Sequence, residues 1–142
     1  MINDVVVRKT GVGDVPAVMK LLRETDFIDQ ETPYNGRDYF QKSVDAGVFF
    51  VAEVGGAVVG MIMGEMLICG GCVVWYFAVE KSMRGGGIGR KLLRAFEHEC
   101  KARGAIWVFG EGDINMKTMT FYKKMGYDFG DTYIEFFKSL AE

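Results

Sequence analysis

The sequence predicts an α+β or α/β domain, residues 1–142, in which a mixed, mostly antiparallel central sheet carries helices on both faces. Two glycine pairs, Gly55-Gly56 and Gly70-Gly71, each separate two apolar runs, so three successive strands are predicted to be joined by tight antiparallel turns. A strand, an amphipathic helix and another strand then follow in order, which implies a right-handed crossover and a parallel pair. An apolar share of 49% and a charged share of 25% are typical of a globular protein with its own core.

The first part of the chain predicts one strand and two helices. Residues 5–10 are a β-branched run typical of a strand, and Asp14 is placed to cap a helix that has Pro16 in its first turn and ends near Thr25. A second helix is predicted over residues 37–46 after an aperiodic loop. The residues expected to face the core from these helices are Val15, Val18, Met19, Leu22, Tyr39, Phe40 and Val44.

The middle of the chain supplies the sheet and its crossover helix. The three apolar runs predicted as antiparallel strands are residues 48–54, 57–67 and 72–79. A helix over residues 87–103 follows, with Gly104 as its left-handed C-terminal residue. Its predicted buried stripe is Ile88, Leu92, Leu93, Phe96 and Cys100. Residues 106–109 then form a short buried strand.

The last quarter of the chain predicts a helix and two short strands. Asn115 is positioned to cap a helix that runs to Met125, and Gly126 ends it. Residues 127–129 and 133–138 are expected to be strands separated by a glycine-containing turn.

The cysteines raise the question of a metal or redox site. Cys69 and Cys72 form a Cys-x-x-Cys, and only His98 and Cys100 remain to complete a zinc site. His98 and Cys100 lie two positions apart on one helix and so on different faces, which makes joint ligation awkward. We therefore expect no metal, and apolar strand positions for Cys69 and Cys72 on either side of a Gly70-Gly71 turn in a reducing compartment.

Charge and hydropathy exclude several classes of function. The net charge of −2 argues against a dedicated nucleic-acid binder, which usually carries a strong basic excess. No apolar run reaches the length of a membrane span, and the N-terminal residues lack a signal-peptide pattern. A cytoplasmic protein without nucleic-acid or membrane partners is expected.

A glycine-rich turn, residues 84–90, joins the strand over residues 72–79 to the helix that follows it. Four of its positions are glycines within a stretch of five, and they leave backbone N–H groups uncovered at a helix start. The helix dipole is positive there, so the turn is a candidate site for a phosphate or pyrophosphate; a plain strand-to-helix loop is the alternative.

Two motifs together resemble the GCN5-related N-acetyltransferase (GNAT) superfamily. The first is Arg84-x-x-Gly87-x-Gly89, and the second is Asn115-x-x-Thr118-x-x-Phe121-Tyr122-x-x-x-Gly126-Tyr127. Thr118 and Tyr127 are mild departures from the alanine and phenylalanine usual in the family. The resemblance covers nearly the whole chain. It implies a GNAT-like fold with a splayed parallel strand pair, and transfer of an acetyl or other acyl group from coenzyme A to an amine.

The resemblance assigns the binding of acetyl-coenzyme A, the expected co-substrate. Backbone amides of the glycine turn would bind the pyrophosphate, and Phe77, Ala78 and Val79 on the preceding strand would bind the pantetheine arm, together with the side chain of Asn115. The positions assigned to the turn are Arg84, Gly85, Gly86, Gly87, Ile88, Gly89 and Arg90.

The resemblance also suggests catalytic residues. Tyr122 is the expected general acid, since a phenol near the sulfur can protonate or stabilise the thiolate that leaves; an aromatic core position is the alternative. The glutamate that serves as base in the histone-modifying branch would stand at about Val73, where this chain has no carboxylate. Glu111 and Asp113, just beyond the strand at 106–109, are the nearest candidates, and solvated loop residues are the alternative.

The acceptor amine, of a small molecule or a protein, is less readable. The loop before the second helix offers an acidic and aromatic rim that suits a polyamine, an aminoglycoside or a lysine side chain: Phe27, Asp29, Glu31 and Tyr34. Aromatic residues are dense at the end of the chain, at Tyr127, Phe129, Tyr133, Phe136 and Phe137, which is consistent with a homodimer.

Two other functions compete with an acetyltransferase. A dinucleotide-binding domain is disfavoured because the glycine spacing does not give Gly-x-Gly-x-x-Gly, no Gly-Lys-Ser/Thr is present, and antiparallel strands precede the turn. A non-catalytic acyl-coenzyme A sensor, or a partner-binding module with the same fold, stays open, although Tyr122 and Asn115 argue against it.

Overall fold

The computed structural model describes residues 4–25, 35–111, 118–130, 136 and 138–140. The chain divides into two compact units, Met1–Glu111 and Gly112–Glu142. Within the described residues, the first unit contains the sheet and three α-helices, and the second contains one short α-helix. Each unit is described by itself below.

A mixed sheet forms the centre of the first unit, as predicted. The strands that the structure describes are β1 (Val6–Lys9), β2 (Val48–Val54), β3 (Ala57–Met66), β4 (Gly71–Val79) and β5 (Trp107–Gly110). They lie side by side in chain order. The strand pairs β1–β2, β2–β3 and β3–β4 are antiparallel, and the pair β4–β5 is parallel. The β2–β3 turn holds Gly55 at φ +57° and Gly56 at φ +82°, the left-handed angles that a two-residue hairpin turn of this kind requires.

Helices cover both faces of this sheet. α1 (Val15–Glu24) and α2 (Arg37–Ala46) pack against one face, where Phe40 is fully buried in a core that includes Phe49, Val51, Met61 and Met63. α3 (Ile88–Ala102) packs against the other face, and all five residues of its predicted stripe are buried. Its C-terminal Gly104 has φ +96°, as predicted for the residue that ends the helix.

The β3–β4 hairpin differs from its prediction. The N–H of Leu67 donates to the carbonyl of Gly71 at 2.8 Å, which makes a three-residue loop of residues 68–70 with Gly70 at φ +89°. Cys69 is therefore an exposed loop residue and not a strand position. Gly71 begins β4 instead of forming the turn.

The prediction of Cys72 as a plain apolar residue is wrong. Cys72 on β4 and Cys100 on α3 are both fully buried and form a disulfide, with their Cα atoms 6.2 Å apart. The pairing arises because the inward stripe of α3 lies over the same face of β4, and sequence spacing alone does not reveal which residues meet across two elements.

The second unit contains α4 (Met119–Lys124). The residue at its N-cap is Thr118 and not Asn115, which lies outside the described residues. Gly126 follows the helix at φ +91°, as predicted. Residues 127–129 are described without strand pairing, so the strand predicted there is wrong, and most of the strand predicted over 133–138 lies outside the described residues.

Asp14 occupies the N-cap position of α1 but its carboxylate does not cap that helix. It accepts hydrogen bonds from the guanidinium of Arg8 at 2.7 and 2.8 Å and from the N–H of Gly11 at 2.7 Å. The hydrogen bonds from Arg8, then the one from Gly11, lower the pKa of Asp14 below its ordinary value. Through its hydrogen bonds with Arg8, the Asp14 carboxylate connects β1 to the start of α1.

Asp14→Asn is expected to lower stability at neutral pH. A carboxylate with a lowered pKa in the folded state stabilises the fold above its unfolded pKa of about 3.9 and loses this effect as the pH falls. Solvent screening limits the loss to about 1 kcal/mol, or roughly 2–4 °C in Tm. Thermal melts of wild type and variant between pH 7 and 3 check this, since their difference should shrink below pH 4. Asp45→Asn, at an exposed position on α2, serves as the control and should match wild type.

Candidate functional site

The connection from β4 to α3 is an exposed turn with unusual backbone angles. After a short 3₁₀ turn, Lys81–Met83, the Nε of Arg84 donates to the carbonyl of Val79 at 3.0 Å and folds the connection back on the end of β4. Gly85 and Gly87 have φ +84° and +86°, a region that other residues adopt only with strain. The glycines at these two positions are therefore required by the path of the chain.

The start of α3 presents backbone donors to the solvent side of this turn. Gly87 is the N-cap, and the N–H of Lys91 donates the first helical hydrogen bond to the Gly87 carbonyl at 3.1 Å. The N–H groups of Ile88, Gly89 and Arg90 precede that bond, at the positive end of a 15-residue helix. A Cβ added at Gly85 or Gly87 would meet no atom within 4 Å, so a phosphate group has room to approach the backbone.

Strand β4, which precedes the turn, extends beyond the end of its parallel neighbour β5. Among the residues that the structure describes, the last β4–β5 pair is Val74↔Gly110, whereas β4 continues to Val79 in register with β3. The β3–β4 register shifts at Met63/Gly64, which gives β4 one extra residue at Trp75. In the described part of the chain, β4 therefore has no β5 partner beyond Val74, and Phe77, Ala78 and Val79 lie on this later part of β4.

Tyr122 lies on α4 in the second unit. Its ring packs edge-on against those of Phe121 and Tyr127, with centroids 5.5 Å apart in both cases. Burial raises the pKa of Tyr122 above its ordinary value of 10. The phenol therefore keeps its proton at neutral pH and can donate it or a hydrogen bond.

The acidic candidates fall in different places. Glu111 is exposed and follows directly after β5. Asp113 lies outside the described residues, as do all four residues of the predicted acidic and aromatic rim. Within residues 4–25, 35–111 and 118–130, no three histidine, cysteine or acidic side chains form a group that could hold a metal ion.

Sequence reasoning overlooked Glu65 on β3. Its Cα partner on β4 is Val73, and Val73 in turn pairs with Phe109 on β5. Met61 and Met63 belong to the core beneath α1 and α2, and Glu65 continues their side of β3 by the two-residue period of a strand. That period is the signal that identifies a carboxylate on an otherwise apolar face.

None of the described helices is long and apolar enough to cross a membrane.

Comparison with known proteins gives a consistent result. A family profile described as acetyltransferase (GNAT) family matches residues 15–127. "Acetyltransferase SG1711" of Sodalis glossinidius (strain morsitans) is 36% identical over 102 residues, which are 69% of each chain. PaiA N-acetyltransferase from Thermoplasma acidophilum, solved with coenzyme A, has a TM-score of 0.80 at 17% identity, over 92% of this chain and 94% of its own.

Two aminoglycoside acetyltransferases have similar folds. The enzyme AAC(6′)-Iy, solved with a bisubstrate analogue of coenzyme A and acetylneamine, has a TM-score of 0.82 at 14% identity over 96% of this chain and 99% of its own. The enzyme meta-AAC0020 from an uncultured soil metagenomic sample, solved with sisomicin, has a TM-score of 0.77 at 19% identity, over 96% and 97%.

Proposed function

Because the chain belongs to the acetyltransferase (GNAT) family, we propose that it transfers an acetyl group from acetyl-coenzyme A to a primary amine. The observation that carries this proposal is the open glycine turn at the N-terminus of α3. The turn follows β4, which extends beyond its last described pair with β5. The proposed acetyltransferase is one GNAT domain over residues 1–142.

The turn suits the pyrophosphate of coenzyme A. The backbone N–H groups from Gly85 to Arg90 would hold the two phosphates, with Arg84 and Arg90 as nearby exposed cations. The pantetheine arm would lie along β4 beside Phe77, Ala78 and Val79, much as an added strand does, and Asn115 would hydrogen-bond it.

The chemistry assigned to the site is direct transfer. The amine nitrogen attacks the thioester carbonyl carbon, a C–N bond forms and the C–S bond breaks. Tyr122 gives a proton or a hydrogen bond to the departing sulfur, and its raised pKa supports this because the phenol stays protonated. Glu111 is the proposed acceptor of the amine's proton, through ordered water.

The acceptor is proposed to be a cationic small molecule. Aminoglycosides are the bound or mimicked acceptors of two proteins with similar folds, which supports a polyamine or aminoglycoside over a protein lysine. The exposure of Phe129 and Phe136 supports a homodimer, and its test is elution volume across a wide concentration range. A cytoplasmic location stays a prediction.

Release of the coenzyme A thiol from acetyl-coenzyme A, measured with spermidine, neamine and lysine as acceptors, tests the proposed function. Gly87→Ala is expected to raise the KM for acetyl-coenzyme A about tenfold, because alanine at a left-handed φ costs about 1–2 kcal/mol and reshapes the turn. Gly13→Ala is the matched control, since an added Cβ there also meets no atom within 4 Å and its φ lies outside the left-handed region. Equal KM values for the two variants would remove the turn from the binding site.

The alternative is a non-catalytic acyl-coenzyme A sensor. A sensor would show a thermal shift with acetyl-coenzyme A but no thiol release with any amine. The same shift measured with NAD separates coenzyme A binding from dinucleotide binding.

A further inference from the structure

We propose that the carboxylate of Glu65 binds the ammonium group of the acceptor, in a site that it forms with Tyr39, Trp75 and Tyr76. We call these four residues the Glu65 site. The proposal rests on the proposed acetyl transfer and deepens it by naming the residues that select a cationic amine.

Three elements of the first unit bring the Glu65 site together. Trp75 on β4 donates its Nε1–H to the Glu65 carboxylate on β3 at 3.1 Å. Tyr39 on α2 interacts with the same carboxylate. Burial raises the pKa of Tyr39 to about 12, and the charge of Glu65, the nearby Tyr76 and a hydrogen bond with Glu65 add to this shift. Tyr76 packs edge-on against Phe40, with ring centroids 5.4 Å apart, so the site is built on the rigid core.

The Glu65 site lies at the end of the β4–β5 pairing that the structure describes. Glu65, Val73 and Phe109 form one row across β3, β4 and β5, and the next pair, Val74↔Gly110, is the last between β4 and β5. Trp75 is the extra residue of the bulge directly after that pair. If the acyl arm follows β4 past this point, as proposed above, the Glu65 carboxylate lies beside the path of the thioester.

The chemistry of the site favours a cation. None of the lysines and arginines in the described ranges forms an ion pair with Glu65. Glu65 itself is only half-buried and its hydrogen-bond partner Trp75 is 46% exposed, so the carboxylate lies close to solvent. Trp75 and Tyr39 both interact with the Glu65 carboxylate, and Tyr76 lies near Tyr39. Aromatic rings attract ammonium groups in addition to the direct charge of a carboxylate. An alkylammonium fits this combination, whereas an anionic or neutral acceptor gains nothing from it.

Glu65→Gln tests the proposal because it keeps the shape and removes the charge. With spermidine and neamine, the variant is expected to raise the KM for the amine tenfold or more, while the KM for acetyl-coenzyme A stays within twofold. Aniline is uncharged at pH 7, so any transfer to it should be equal for both proteins. Trp75→Phe keeps the carboxylate and one aromatic ring but loses the Nε1 hydrogen bond and the second ring of the indole, so its KM for spermidine should rise less than that of Glu65→Gln.

The outcomes separate the Glu65 site from the proposed function. An unchanged KM for spermidine and neamine in Glu65→Gln overturns the Glu65 site and leaves acetyl transfer intact. If wild type releases no thiol with any amine, the acetyl-transfer proposal fails, and calorimetric titration of spermidine into the coenzyme A-bound protein then decides on the site alone. Weaker spermidine binding by Glu65→Gln supports the site, and equal binding overturns it. Thermal melts of both variants check that the fold is retained.

Discussion

Tyr122→Phe is expected to lower kcat about 100-fold and to leave the KM for acetyl-coenzyme A nearly unchanged. The substitution removes one hydroxyl and keeps the ring that packs against Phe121 and Tyr127. A donor that acts only when charge develops on the sulfur contributes to the transition state more than to the bound ground state, and loss of such a donor typically costs 10²–10³-fold.

The measurement is steady-state thiol release with a saturating amine. Tyr127→Phe is the matched control, because it removes a hydroxyl from the neighbouring ring of the same unit and should leave kcat within about twofold of wild type. The pH profile adds a second reading. Since burial raises the pKa of Tyr122 above 10, wild-type kcat should show no loss of the acid form up to pH 9. Full turnover by Tyr122→Phe would exclude the general-acid role.

The sequence predicts the elements of the first unit closely because local signals determine them. The Gly55-Gly56 pair has one favourable solution, a two-residue hairpin turn, and the structure confirms it. The apolar stripe of α3 has the period of a helix with one buried face, and its five residues are all buried. The turn between β4 and α3 could also be predicted from its glycines, since the left-handed angles at Gly85 and Gly87 leave few alternatives to glycine.

Features that depend on contacts distant in sequence were not predictable in this way. Asp14 carries the right residue type for a helix cap, but Arg8 and the Gly11 N–H compete for its carboxylate and hold it. The disulfide between Cys72 and Cys100 depends on how α3 lies over the sheet. The proposed role of Glu65 depends on strand register. Only the β3–β4 pairing and the bulge at Trp75 place Glu65 beside the last described β4–β5 pair.

Gly64→Ala is expected to have the largest effect on stability. Gly64 lies on β3 at the register shift, on the face toward α3. An added Cβ would overlap the carbonyl oxygen of Val73 on β4 and would approach Cζ of Phe96 to 2.7 Å. The first of these neighbours is backbone, which cannot rotate away, so β4 itself must move. We expect a loss of about 3 kcal/mol or more, at or beyond the upper end for overpacked cores, and a fall in Tm of roughly 6–12 °C.

Gly60→Ala is the control for this prediction because it lies on the same strand and the same face of β3. Its added Cβ would meet only side-chain atoms at close range, Cδ1 of Leu92 at 2.9 Å and Cγ2 of Ile88 at 3.3 Å, so the expected loss is below about 1.5 kcal/mol. Thermal and urea unfolding of both variants measure the difference. The displaced β4 also carries the proposed pantetheine contacts, so folded Gly64→Ala protein should bind acetyl-coenzyme A more weakly than Gly60→Ala does. Equal stability of the two variants would show that the β4 backbone can yield at Val73, and the close approach of β3 to β4 would then not be what requires glycine at position 64.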